Sequence, residues 1–114
     1  MHELSIVSSI IEIATSEATA AGASSINSIE LEMGTMNGVE MDAFWFAWEQ
    51  ATHCTLLENV QAIIHTKVGK ANCLCCRQPF AIAHYAEPCP KCGSHQKEIV
   101  QGRELRVSAI TVTT

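Results

Sequence analysis

Apolar residues recur along this chain with two different periods, and the changes of period mark out its elements. Over residues 4–21, Ile6, Ile10 and Ile13 alternate with Val7, Ala14, Ala18 and Ala21 at spacings of three and four. Those spacings predict an amphipathic helix. Glu3 at its start suits the positive end of the helix dipole, and Gly22 supplies a stop. Over 26–33 the period falls to two, with Ile29, Leu31 and Met33 facing one way and Glu30 and Glu32 the other, the pattern of a half-buried strand. Gly34 to Gly38 reads as a turn, and 42–53 as a second helix. Its stripe is Phe44, Ala47 and Trp48, and Asp42 is the expected N-cap. Residues 60–68 alternate again, placing Val60, Ala62, Ile64 and Val68 on one face. Residues 104–113 alternate through Leu105, Val107 and Ala109, then change phase to Ile110 and Val112, which predicts a bulge or a strand covered on both faces.

The order is helix, strand, helix, strand, a cysteine-bearing stretch, strand. A lone last strand needs partners, and the economical solution returns it to the sheet of the first two. The expected class is therefore α+β: two helices on a small three-stranded mixed sheet, with an inserted zinc-ribbon module. Residues 1–68 plus 102–114 would form the α/β domain, and 69–101 the ribbon. The larger apolar residues of that insert are Phe80, Ile82, Tyr85 and Ile99, too few for an independent core. Both tryptophans and two of the three phenylalanines fall in the second helix, which reads as core packing rather than as an aromatic ligand box.

The insert carries the clearest chemistry. Cys73 and Cys76 form one C-x-x-C pair, and Cys89 and Cys92 a second. Each pair presents two sulfurs from one tight turn, and two facing turns complete a tetrahedral S4 shell for zinc at about 2.3 Å. The second runs Pro88-Cys89-Pro90-Lys91-Cys92-Gly93-Ser94, with proline at the entry and glycine free to take positive φ. Disulfides and buried free thiols are the plainer alternatives. The opening Met1-His2-Glu3 has neither a basic start nor a leading apolar run, so a cytoplasmic location is expected, where paired cysteines are more often ligands than disulfides. A thioredoxin-like motif fits poorly, because Pro79, Pro88 and Pro90 interrupt the region. Cys75 could replace Cys76, but the two-residue spacer makes the better chelating turn, leaving Cys75 as a spare thiol. Cys54, just after the second helix, is expected to be a small, partly buried residue rather than a ligand.

Composition narrows the partners. A chain of 114 residues, 47% hydrophobic and 17% charged, folds as one small domain or as a domain with a mini-module. No apolar run approaches the ~20 residues that cross a bilayer, so no membrane partner is expected. The formal charge is −5, and four thiolates around one dication would make it more negative. Such a surface repels phosphate backbones, which argues against nucleic acid.

A histidine at position 2 is ordinarily just solvated. Its chemistry is nevertheless specific. The ring lies close in sequence to the Met1 α-amine and to its own backbone amide, and these nitrogens can form adjoining chelate rings around one ion. Ni²⁺ and Cu²⁺ accept such tetragonal nitrogen sets, whereas Zn²⁺ prefers a tetrahedron. The positive end of the first helix opposes a cation there. Glu3 could offset it, as could Glu40 and Asp42 if both helix starts lie at one end of the sheet.

With these residues assembled, the chain resembles the HypA/HybF family of hydrogenase maturation nickel-insertion proteins. The likeness rests on Met1-His2-Glu3-Leu4-Ser5-Ile6, Gly34-Thr35-Met36-Asn37-Gly38-Val39-Glu40, Phe46-Ala47-Trp48-Glu49, the two cysteine pairs with Cys92-Gly93-Ser94, and Gly102-Arg103-Glu104-Leu105. The resemblance implies structural zinc on Cys73, Cys76, Cys89 and Cys92. It implies a nickel cargo on the Met1 amine, backbone nitrogens and His2, with help from Glu3 and a carboxylate at Glu40. It further implies a metallochaperone, not an enzyme, that works with a nickel-handling maturation GTPase and serves the [NiFe]-hydrogenase large subunit, and in some relatives urease. A homodimer is the candidate assembly. Cys54 and Cys75 fall outside the family pattern. His95 and Asp42 are candidate helpers, and His53, His65 and His84 carry no motif. The rival classes are a zinc-ribbon adaptor without a second metal and a thiol redox enzyme.

Overall fold

The computed structural model describes residues 2–114. In chain order its elements are α1 (Glu3–Ala20), β1 (Ser25–Gly34), α2 (Met41–Ala51), β2 (Gln61–Lys67), β3 (Lys70–Cys73), β4 (Pro79–Ala81), β5 (Lys97–Gln101) and β6 (Leu105–Thr113). Three strands form a sheet in the order β2-β1-β6, so the last strand does return to the first two. The sheet is mixed. The Thr35 amide donates to the Lys67 carbonyl, which sets the ends of β1 and β2 side by side, while Ser24 donates to Thr113 and Gly34 to Glu104, which runs β6 the opposite way. A parallel β1–β2 pair needs a crossover, and α2 supplies it.

The chain divides into two compact units, one of Met1–Leu31, Gly38–Ile64 and Arg106–Thr114, the other of Glu32–Asn37 and His65–Leu105. In the first, α1 buries Val7, Ile10, Ala14 and Ala18. Ile13, expected on that stripe, is half exposed because the buried positions centre between residues 10 and 14 and leave it at the margin. Helix α2 buries Phe44, Ala47 and Trp48. Phe44 is fully buried and stacks on Trp48 at a centroid distance of 5.9 Å. The expected cap, Asp42, lies instead in the first turn of α2. Glu40 is the N-cap, and its carboxylate accepts from the Asp42 and Ala43 amides at 3.2 and 2.7 Å. Its extra methylene lets the side chain reach both orphan donors.

The second unit holds an antiparallel sheet ordered β4-β3-β5, with a register irregularity at Lys70/Ala71. Ala71 and Ile82 are buried in it. Tyr85, one of the insert's few larger apolar residues, is exposed, with the Lys97 ammonium 5.0 Å and the Arg103 guanidinium 5.5 Å from its ring centre. Val68 is also exposed rather than inward. In β6, Ser108 and Ala109 are exposed in succession between half-buried Val107 and Ile110, which is the expected change of phase.

Gly34 is fixed by contact rather than by conformation. A Cβ there would meet the Gly102 carbonyl oxygen at 1.9 Å and the Arg103 nitrogen at 2.7 Å. Both obstacles are backbone, so neither can swing aside. Gly34→Ala is expected to destabilise the protein by about 2–4 kcal/mol, read as a fall in Tm of about 10 °C or more. An unchanged melt would mean that the two backbones are not in contact.

Candidate metal centre

The two C-x-x-C turns are built alike. In the first, the Cys73 amide donates to Gln78 and the Arg77 amide returns to Cys73, at 2.9 and 3.1 Å. In the second, Cys89 donates to Ser94 and Gly93 returns to Cys89, at 2.9 and 2.8 Å. The residue after each second cysteine is left-handed, Arg77 at φ 66° and Gly93 at φ 74°. Glycine takes that conformation freely, whereas a side chain there costs about 1 kcal/mol. Arg77→Gly is therefore expected to stabilise the turn by up to about 1 kcal/mol without altering bound metal. Slower loss of metal to a chelator would show it, and faster loss would refute it.

The turns bring four sulfurs together. Cys73 and Cys92 sulfurs lie 3.5 Å apart, Cys76 and Cys89 3.7 Å, and all four are within 4.8 Å of one another. A tetrahedron with bonds of about 2.3 Å has edges of about 3.8 Å, so the set fits a zinc-sized ion with little movement. Cys75 is exposed and is not among the four. Cys73 and Cys89 are buried, Cys76 is half-buried and Cys92 is exposed.

Electrostatics sorts the thiols. The Cys76 amide, assisted by that of Cys75, donates to the Cys73 sulfur and holds its thiol down at about 6. The Cys92 amide, assisted by Lys91, lowers Cys89 in the same way. The Ser94 amide favours thiolate at Cys92, but Cys73 and the other sulfurs, together with burial, outweigh it and push that thiol up to about 12. Cys76 is also raised, because burial and the Cys73 and Cys89 sulfurs outweigh the Gln78 amide. Crowded sulfurs cannot all ionise alone, and a dication removes that conflict.

The chain start forms a separate cluster. His2 is exposed and is the N-cap residue of α1, with no capping bond from its side chain. The Glu40 amide donates to the Glu3 carboxylate at 3.2 Å. That bond holds Glu3 below the usual carboxylate range. The starts of α1 and α2 thus meet, bringing Glu3 and Glu40 together at two positive helix ends. Met1 lies outside the described residues.

His95, like His2, is exposed, and it belongs to neither ligand group that the described residues form. Cys54, expected to be partly buried, is exposed as well. It sits in a second group of metal-capable side chains, with His53 and Glu58, that the reading of the sequence did not single out. The available signal was the spacing His-Cys-x-x-x-Glu just beyond a helix.

Comparison with known proteins matches residues 1–112 to the family described as hydrogenase/urease nickel incorporation, metallochaperone, HypA. A hydrogenase maturation factor HypA of Geobacter metallireducens is 38% identical over 112 residues, covering 98% of this chain and 99% of the relative. That of Parabacteroides distasonis is 39% identical, covering 98% and 97%. The solution structure of the Ni metallochaperone HypA from Helicobacter pylori superposes with a TM-score of 0.71 at 26% identity, over 100% of this chain and 99% of that one. With a match along nearly its whole length and a shared fold, the chain belongs to the HypA family of hydrogenase and urease nickel-incorporation metallochaperones.

Proposed function

We propose that this chain carries Ni²⁺ as cargo at its amino end and delivers it for maturation of the [NiFe]-hydrogenase large subunit, while a resident zinc keeps the ribbon folded. Cys73, Cys76, Cys89 and Cys92 would hold the zinc. Met1, His2 and Glu3 would hold the nickel, with Glu40 supplying a further carboxylate. The observation that carries the reading is the bond from the Glu40 amide to Glu3. It gathers negative charge where two helix dipoles would otherwise repel a cation.

A delivery site must select its ion yet release it to a tighter acceptor. A few nitrogens at the exposed start of a chain suit that task better than a buried cage does. The ribbon would present a shaped surface to the partners, a nickel-handling GTPase and the hydrogenase subunit, or urease. The work would take place in the cytoplasm, with a homodimer as the candidate assembly. No described helix is long and apolar enough to cross a membrane. Nickel titration of tag-free protein, with zinc quantified in the same sample, tests the reading. One nickel taken up beside one retained zinc supports it, and zinc without nickel uptake leaves only a docking module.

A further inference from the structure

The segment after α2 is cross-bonded at nearly every residue. The Thr52 hydroxyl donates to Trp48, the Thr55 hydroxyl to Thr52, and the Leu57 amide to the Thr55 hydroxyl, at 2.8, 2.7 and 3.1 Å. Leu57 is fully buried and anchors the turn. On this rigid support stand three exposed side chains. His53 Nδ1 is 2.8 Å from Glu58 Oε2. The Cys54 amide donates to that same oxygen at 2.9 Å. Cys54 adopts φ 61°, a left-handed conformation uncommon for a residue with a side chain. The imidazole nitrogen, thiol sulfur and carboxylate oxygen all lie within 4.8 Å of one another.

We propose that His53, Cys54 and Glu58 form a solvent-open site for a divalent late first-row cation. Nitrogen, sulfur and oxygen donors together suit zinc, cobalt or nickel. Around such an ion the donors would stand about 3–4 Å apart. The His53–Glu58 contact, at 2.8 Å, must widen slightly, and the thiol already lies within 4.8 Å of both partners, so the adjustments are open to exposed side chains on a fixed turn. Binding releases the Cys54 thiol proton to solvent and requires a neutral imidazole. Three protein ligands leave a coordination position for water or an incoming group, the arrangement of exchangeable rather than structural sites. His53 and Glu58 also line a cleft of about 600 Å³ with Trp45 and Trp48, the only tryptophans in the sequence. An ion there would lie beside the chain's fluorophores. The site does not depend on the nickel reading of the chain start.

Co²⁺ titrated into reduced, zinc-loaded full-length protein is the test. A thiolate-to-cobalt charge-transfer band saturating at one equivalent, with no zinc released, is expected, together with quenching of tryptophan emission. The band should vanish in Cys54→Ser and weaken in His53→Ala, yet survive in His2→Ala and Cys75→Ser. Glu58→Gln keeps an acceptor for the Cys54 amide while removing the anionic ligand, so it separates a metal site from a turn cap. Loss of the band in that variant, with an unchanged circular dichroism spectrum, supports the site. No band at all, a band indifferent to Cys54→Ser, or a band that appears only as zinc leaves the cage would overturn it.

Discussion

Cys89→Ser is expected to release the zinc and unfold the ribbon while the other unit stays folded. The reason lies in how little else holds residues 69–101 together. Apart from ligand sulfurs, their buried side chains are Ala71 and Ile82. Burying an alanine and an isoleucine contributes about 2–4 kcal/mol, far below the ordering cost of some thirty residues at about 1 kcal/mol or more each. A structural zinc would supply on the order of 10 kcal/mol or more, enough to decide whether the module folds. Zinc content should fall from one per chain to near zero. Amide resonances of 69–101 should collapse toward unfolded positions, while those around Phe44 and Leu57 hold. A zinc-replete, well-dispersed variant would refute the ligand assignment. Acid should act in the same direction. The Cys73 thiol is lowered in the fold, so its thiolate is present at neutral pH and is lost as pH falls through about 6. Protons compete with zinc for all four sulfurs, so zinc retention should decline as the pH falls and strengthen as it rises.

The second large effect is expected at the chain start. His2→Ala and a one-residue N-terminal extension should each weaken nickel binding by about 100-fold or more, roughly the loss of a full ligand from a short chelate, and leave zinc untouched. The extension is the sharper of the two, because every side chain stays and only the position of the amine changes. Glu40→Gln should have a smaller effect and is preferable to alanine, since its amide oxygen can still accept from Asp42 and Ala43 and keep α2 capped. Calorimetry of nickel binding with parallel zinc analysis distinguishes the cases. Full nickel stoichiometry in both the extended chain and His2→Ala would end the delivery reading.

Much of the architecture was legible because burial has a period. Phe44, Ala47 and Trp48 were readable as one helical stripe, and the return of β6 to the sheet followed from its lack of any nearer partner. The four clustered sulfurs were legible because a chelating turn has a fixed length in sequence. What escaped depends on distances between residues far apart in the chain, or on the reach of a side chain. No local pattern shows that Gly34 touches Gly102, 68 positions on. Asp42 is the statistically favoured cap, and only the longer arm of Glu40 displaced it. Tyr85 is aromatic yet exposed, with two cations near its ring that sequence alone does not place there. His53, Cys54 and Glu58 were unremarkable singly, and they converge only because the turn folds back on itself.

The unequal depth of the four sulfurs gives the cage a front and a back. Cys73 and Cys89 are walled in, whereas Cys92 is open to water and Cys76 partly so. A competing chelator or an oxidant reaches Cys92 most readily, so an ion held there would be expected to shed its Cys92 bond before either deep anchor lets go. The same opening is where oxidation of the four cage sulfurs would begin.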